Sequence, residues 1–336
     1  MRPEEGHPDQ SSGIRLVELA DGPGRGVRLL EVRTEAGLAF EIVVDRGFDI
    51  GAASIRGRNL SYMGPPGHRA PWLSEADGMD SWLRRFTGGL LMTGGLDHIL
   101  GPDADDAARF AYPGRREERF PLHGRAHAEP ARLAGYGREG GTLWAEGLVT
   151  QAALYGEHLE RRRRIACDEG GTAIRLTDTV TNLGPVPNPV MALYHVNLGW
   201  PLIGEGARIL APGAPRAVTG FDLAGWDGVP APAAGFAEEV VHLPAEGRAA
   251  VVNAASDLML VEEWDAGALP HLFAWRQFGA RDYVLGLEPA SHDRDRHAAR
   301  EAGTLTVLEP GEAITYRLTL TAHEGAAATA ALEEWT

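Results

Sequence analysis

The sequence predicts an all-β protein, a single large antiparallel β-sandwich with few short helices. Short runs with strand-like alternation or continuous apolar character recur along nearly the whole chain. The 43 Gly and 22 Pro punctuate it often enough to turn many short strands. Strands do not alternate with long amphipathic helices, which disfavours a Rossmann or α/β-barrel layout.

The elements follow in order. Residues 1–13, MRPEEGHPDQSSG, have no apolar periodicity and are expected to be disordered. GVRLLEVRT and LAFEIVV then read as strands, as do TLWAEGLV, LERRRRIAC, AIRLTDTVTN, PVMALYHVNL, LMLVEEW, HLFAWRQF, YVLGLEP, TLTVLEP and AITYRLTLTA. Turn signals such as CDEGGT, NLGPVPNP and EPGEA separate many of them. One short helix is expected between Ser81 and Thr87, stopped by Gly88–Gly89, and a further turn of helix after His297. The charged segment 100–120 is expected to be a long surface loop able to cover a pocket. In Arg161–Arg164, strand alternation predicts two solvated arginines and two that pair with carboxylates or lie over apolar surface. No linker composition interrupts the strands. Residues 14–322 therefore read as one domain, followed by a C-terminal tail, 323–336.

Composition narrows the function. A net charge of −15 argues against nucleic-acid binding, which needs a basic face. Cys167 is the only cysteine, so intramolecular disulfides, thiolate zinc clusters and CxxC redox chemistry are excluded. The N-terminus has neither a basic n-region nor an apolar h-region, and no window approaches 18 uninterrupted apolar residues. A cytoplasmic protein with a small-molecule partner, and without membrane or nucleic-acid partners, is expected.

No P-loop, GxGxxG in a βαβ context, HExxH or GxSxG is present. His123 and His127 have i,i+4 spacing, but Gly124 and Pro130 oppose a helix. On an extended segment the two would lie about 13 Å apart, too far for one metal. No metal is expected. Glu288, in VLGLEPAS, ends an apolar strand and is held extended by Pro289. It is either a structural carboxylate or a base. His195, in MALYHVNLGWPL, is either a satisfied core histidine or an acid at a pocket mouth.

Five words in order carry a resemblance: VVDRGFDIGAASIRGRNLSYMGP (43–65), FTGGLLMTGGLDH (86–98), PLHGRAHAEPARL (121–133), ALYHVNLGWPLI (192–203) and YVLGLEPAS…LTVLEPGEAITYRLTL (283–320). From about residue 14 to 322 the chain resembles the aldose 1-epimerase (galactose mutarotase-like) superfamily, and more closely its uncharacterised aldose 1-epimerase-like branch. The resemblance implies a β-supersandwich with the sugar on one concave sheet face. It implies Glu288 as the base that takes the anomeric proton and His195 as the acid that protonates the ring oxygen. It implies His123 and its neighbour Arg125 as sugar-binding residues, with Asp222 as a hydroxyl acceptor and Asn197 beside the acid. Arg46 and Asp49 belong to the branch. Arg46, Arg125 and Arg276 together would favour an anionic sugar, whereas Arg46 paired with Asp49 or Asp45 would be scaffold, the preferred reading. Trp275 or Trp226 can offer a stacking face or simply pack in the core.

The implied reaction opens a hemiacetal, rotates the aldehyde and recloses it, with proton transfer at two oxygens and no cofactor. Two other functions share these features. One is a non-catalytic carbohydrate-binding or regulatory protein, and the other an isomerase or lyase acting on an unusual acidic sugar.

Overall fold

The computed structural model describes residues 4, 6–73 and 78–335. Five strands, β1 (Gly13–Glu18), β2 (Arg28–Arg33), β3 (Leu38–Val43), β4 (Asp49–Ile55) and β5 (Arg58–Asn59), form an antiparallel sheet in chain order. Helix α1 (Gly78–Leu83) and β6 (Leu91–Leu96) follow, then the hairpin β7 (Asp103–Asp106) and β8 (Glu117–Phe120). Next come β9 (Arg132–Glu139), β10 (Thr142–Ala152), β11 (His158–Asp168), β12 (Ala173–Asn182), β13 (Asn188–Pro189) and β14 (Met191–Leu198). The chain continues through β15 (Arg208–Leu210), β16 (Arg216–Ala217), β17 (Glu239–Pro244), β18 (Arg248–Asn253), β19 (Leu258–Trp264), β20 (His271–Phe278) and β21 (Tyr283–Ala290). It ends with α2 (Arg296–Glu301), β22 (Val307–Leu308), β23 (Ala313–Glu324) and α3 (Ala326–Glu333).

Two large sheets make an antiparallel β-sandwich, as expected. One has the order β15-β18-β19-β23-β12-β11-β10-β9, the other β16-β17-β20-β21-β14-β6. Alternation decides which side chains meet between them. β12 alternates half-buried and buried along its whole length, turning Ile174, Leu176 and Val180 inward. From the facing sheet come Val196, Leu198, Leu272, Ala274, Leu285 and Leu287, in the same core. Each fully buried aliphatic side chain of this kind contributes about 1.5–3 kcal/mol.

A polar network crosses this core. Arg163 donates to Asp178 through Nε (2.7 Å) and Nη2 (2.6 Å), and also pairs with Asp49. Asp49 accepts from the Thr93 amide (2.9 Å) and hydroxyl (2.7 Å), and Tyr194 donates to Asp178 (2.7 Å). Losing one partner would leave an uncompensated buried charge, at a cost of about 3–5 kcal/mol. The four-arginine run divides by alternation: Arg161 and Arg163 are buried, Arg162 pairs with Glu146, and Arg164 lies over the Trp144 ring.

Several local expectations change. The short helix runs over Gly78–Leu83, not Ser81–Thr87, because Thr87 and Gly88 are drawn into bridging contacts with the segment 62–64. The segment 100–120 is not an open loop. It forms the β7–β8 hairpin and buries Asp105 and Glu118 against Arg296 and Arg109. The expected N-terminal disorder falls partly on residues 1–3 and 5, which lie outside the described residues. From Pro8 to Gln10 the chain makes a single turn, and Arg138 donates to the Ser12 carbonyl at 2.7 Å. The segment after Glu324 is helical through Glu333, with Ala328 packed on Ala250 and Met259.

Candidate active site

The six-stranded sheet turns one face to the core and the other to a cover built from α1 and the loops after β6. On β14, Tyr194, Val196 and Leu198 face the core, so His195 and Asn197 face the cover. β14 pairs with β21 through Leu193↔Ala290 and Val196↔Leu287, a register that sets His195 directly opposite Glu288. The side chains meet, with His195 Nε2 3.1 Å from Glu288 Oε1. Both residues are 4% exposed. Gly286, between Asn197 and Trp275 on adjacent strands, leaves the space they occupy: a Cβ there would lie 2.6 Å from Glu288 Oε1 and 3.1 Å from His195 Cε1.

Aromatic rings enclose the pair. Trp82, from α1, sits 5.7 Å from the His195 ring, and Phe86 sits 5.6 Å from it. Trp275, on β20, packs edge-on to His195 at 5.3 Å and donates its indole N–H to Glu238 at 2.7 Å. His123 and His127 each lie 4.6 Å from the Trp82 ring, flanking one indole. His123 also stands 5.8 Å from His195, and its Nδ1 accepts from the Leu100 amide (3.3 Å).

Burial governs the protonation of this group. It pushes the His195 imidazole down to about 4, with Asn197 pulling the other way. It pushes the Glu288 carboxyl well above the usual range, reinforced by the charge of Glu238. His123 is held well below its ordinary value by burial and by its histidine neighbours, and His127 is held at about 3 by burial and the charges of Arg85 and Arg46. With the carboxyl pushed up and the imidazole pushed down, burial favours the protonated carboxyl beside the neutral imidazole. Among the described residues His195 Nδ1 has no hydrogen-bond partner, and Glu288 Oε1, although 3.1 Å from His195 Nε2, is not aligned with it for a hydrogen bond. Such a pair can release a proton at one point and accept one at an adjacent point in the same step.

The other sequence-predicted residues divide. Asn197 is in the site, donating to the carbonyls of Gly89 (3.1 Å) and His195 (2.9 Å). Trp275 and His123 are also there. Arg46 is buried but bonds to protein: it donates to the Gly88 carbonyl at 2.6 Å and to the Thr87 hydroxyl, pinning the turn that carries Phe86. It pairs with neither expected aspartate, because Asp45 takes Arg28 and Asp49 takes Arg163. Arg125 turns away toward Asp97, Glu157 and the Arg119 carbonyl. Arg276 points to the opposite face from Trp275, bound to Glu239 and the Gly228 carbonyl. Asp222 is exposed and accepts from the Ala224 amide (3.0 Å) in its own turn. Trp226 packs against the main core.

Sequence reasoning missed Trp82, Phe86, His127 as a wall residue, and Gly286. The i,i+4 spacing of Trp82 and Phe86 was the available signal. Among the described residues, Asp97, Glu118 and Glu157 alone gather three ligand-type oxygens, within 4.8 Å of one another. Arg109, Arg115, Arg125 and Arg296 surround them at 2.5–4.0 Å and balance their charge.

Residues 24–322 match the family described as "Domain of unknown function (DUF4432)". No curated protein matches the sequence. Several solved structures share the fold. A putative aldose 1-epimerase from Klebsiella pneumoniae is 24% identical, with a TM-score of 0.82 over 96% of this chain and 86% of that one. A galactose mutarotase-like protein from Clostridium acetobutylicum is 14% identical, with a TM-score of 0.65 over 94% of this chain and 100% of that one. A putative aldose 1-epimerase from Escherichia coli K12 is 16% identical, with a TM-score of 0.61 over 86% and 97%. At such identities the likeness is one of fold. No helix among the described residues is long and apolar enough to cross a membrane.

Proposed function

We propose that this chain, which belongs to the DUF4432 family and has the galactose mutarotase-like fold, is an aldose 1-epimerase that interconverts the anomers of a sugar. The observation that carries the reading is the 3.1 Å contact between His195 Nε2 and Glu288 Oε1 beneath an aromatic cover. The two oxygens that exchange protons during ring opening are bonded to the same carbon. Two catalytic groups in contact match that spacing better than two groups facing each other across a whole ring.

The forward direction starts from the tautomer in which the proton has moved from Glu288 to His195, so that Glu288, as carboxylate, takes the proton from the anomeric hydroxyl. His195, as imidazolium, gives its proton to the ring oxygen. The C1–O5 bond breaks, and C1 becomes an aldehyde. The pair is left with its proton on Glu288 and a neutral imidazole, the uncharged form that burial favours. Rotation about C1–C2 presents the other aldehyde face. Closure then returns one proton from Glu288 to O1 and one from the C5 hydroxyl to His195, and the pair is restored. Trp275, Trp82 and Phe86 offer apolar faces for the sugar C–H surfaces. His123 and Asn197 border the pair. A low-dielectric enclosure strengthens each of these interactions.

The test is NMR exchange between α and β anomers across a panel of aldoses, with buffer alone as reference. Acceleration for at least one sugar is expected. A sugar that binds while none exchanges faster than in buffer would favour a non-catalytic sugar-binding protein.

A further inference from the structure

The catalytic pair is covered. His195 and Glu288 are each 4% exposed, and the rings of Trp82, Phe86, Trp275 and His123 stand 5.3–5.8 Å from the His195 ring. Rings at such separations touch, so no sugar fits between any of them and the imidazole. A substrate reaches the pair only when one ring gives way, and the hold on each decides which.

Trp275 lies within the sheet, and its indole N–H is fixed to Glu238 at 2.7 Å. Phe86 adjoins the turn that Arg46 grips, where the Gly64 amide bonds the Thr87 carbonyl (3.0 Å) and the Gly89 amide bonds that of Tyr62 (2.7 Å). The backbone of His123 is bonded on both sides, to Leu100 at 2.8 Å and to Gly95 at 2.9 Å. Trp82 stands instead on α1, six residues long, in which it is the one large buried side chain. Met79 and Leu83 of the same helix are 49% and 54% exposed. A helix of this length has little stability of its own, and an element with so little buried surface opens at low cost.

Beside the indole lies a group that no contact explains. His127 is completely buried, and neither of its ring nitrogens has a hydrogen bond among the described residues. The rings of His123 and His127 each lie 4.6 Å from that of Trp82, and the His195 ring lies 5.7 Å from it. Three imidazoles therefore border the volume that the indole fills. Burial and the charges of Arg85 and Arg46 hold His127 neutral, down at about 3. A neutral imidazole has one donor and one acceptor, the two functions of a hydroxyl.

We propose that the Trp82 indole fills the substrate's place, that α1 lifts to admit the sugar ring beneath it, and that His127 then hydrogen-bonds a hydroxyl of a neutral sugar. The proposal rests on the reading of Glu288 and His195 as the ring-opening centre, and it deepens that reading by naming the moving element and a binding residue. Arg46, Arg125 and Arg276, all engaged elsewhere, supply no charge for an acidic sugar.

The test uses the full chain with galactose and its monodeoxy analogues. In protein labelled with fluorotryptophan, the 19F signal lost in Trp82→Phe belongs to Trp82, and saturating galactose should shift it. In Trp82→Ala the obstructing ring is gone, so the association rate should rise by about tenfold, read by stopped-flow fluorescence of the remaining tryptophans. A ring that merely packs on bound sugar would change dissociation alone. His127→Phe keeps a ring beside the indole and should weaken galactose binding by about tenfold, the scale of one hydrogen bond. One monodeoxy analogue should bind the parent and His127→Phe equally, because it lacks the hydroxyl in question.

A Trp82 signal unmoved at saturation, or an unchanged association rate in Trp82→Ala, overturns the lifting of α1. A deficit in His127→Phe that persists with every analogue, or no deficit at all, overturns the role of His127. If galactose does not bind, hydrogen exchange of the free protein decides. Amides of residues 78–85 should then exchange about 10²-fold faster than those of β14 and β21, and equal protection overturns the proposal. If the Trp82 signal moves but no sugar exchanges anomers faster than in buffer, the opening stands and the epimerase reading falls. Faster anomer exchange with an unmoved signal keeps the epimerase reading and rejects this one.

Discussion

His195 and Glu288 are cross-strand partners on β14 and β21, and their side chains meet at 3.1 Å on the covered face of the sheet. Antiparallel pairing joins a residue from the middle of the chain to one near its end, and sheet rigidity fixes their separation. Three measurable consequences follow from the burial and close packing of this contact and of the core beneath it.

The first concerns pH. Burial holds His195 down at about 4 and pushes Glu288 upward. The pair takes a second proton only in acid and loses its last only above the usual carboxylate range. Activity should therefore stay flat well below the ordinary histidine value of about 6.5. The negative charge of Glu238 helps raise Glu288, so Glu238→Gln should move the alkaline limb of kcat/KM to lower pH. An alkaline limb that stays in place or moves up would contradict this coupling.

Gly286 supplies the second. Alanine there fits the backbone but sets a methyl 2.6 Å from Glu288 Oε1 and 3.2 Å from the Trp275 Cβ. The carboxylate must swing away. Gly286→Ala should lower anomer exchange by about 10²-fold, the cost of misplacing a catalytic group. Its circular dichroism should match that of the parent. Full activity in this variant would show that the observed carboxylate position is not the working one.

The third lies in the core below the site. Glu262 is completely buried, neither of its oxygens has a hydrogen bond among the described residues, and burial pushes its carboxyl well above the usual range. A group raised in the folded state contributes stability that is fully present below its unfolded value, about 4.3, and is lost as pH climbs toward the folded one. At pH 8 it costs stability. Glu262→Met should raise unfolding free energy by about 1–3 kcal/mol at pH 8 and by less at pH 5. Denaturant titrations at the two pH values check this; a gain that is equal at both, or a loss at pH 8, would refute it.

Much of the fold was legible because strand periodicity and turn chemistry are local. β12 and β21 appear in AIRLTDTVTN and YVLGLEP almost residue for residue. The carboxylate before Pro289 and the lone histidine in an apolar run also stood out, because each breaks a local pattern. Partnership was the hidden part. Whether Arg46 faces a ligand or a carbonyl depends on the turn at Gly88, and only the tertiary structure brings that turn to it. Trp82 and Phe86 fall in a segment read only as a short helix, and an apolar stripe looks the same over a core and over a pocket. Gly286 was silent because a strand glycine has many causes, and its reason is the side chain two residues further on.

The most direct test of the central claim is the anomer exchange rate of a responsive sugar, measured by NMR with the parent protein and with Glu288→Gln. Glutamine keeps the shape of the side chain and removes its ability to take the anomeric proton. The account predicts that the variant still binds the sugar while its exchange rate falls by about 10²-fold or more. A variant that exchanges anomers as fast as the parent would contradict it.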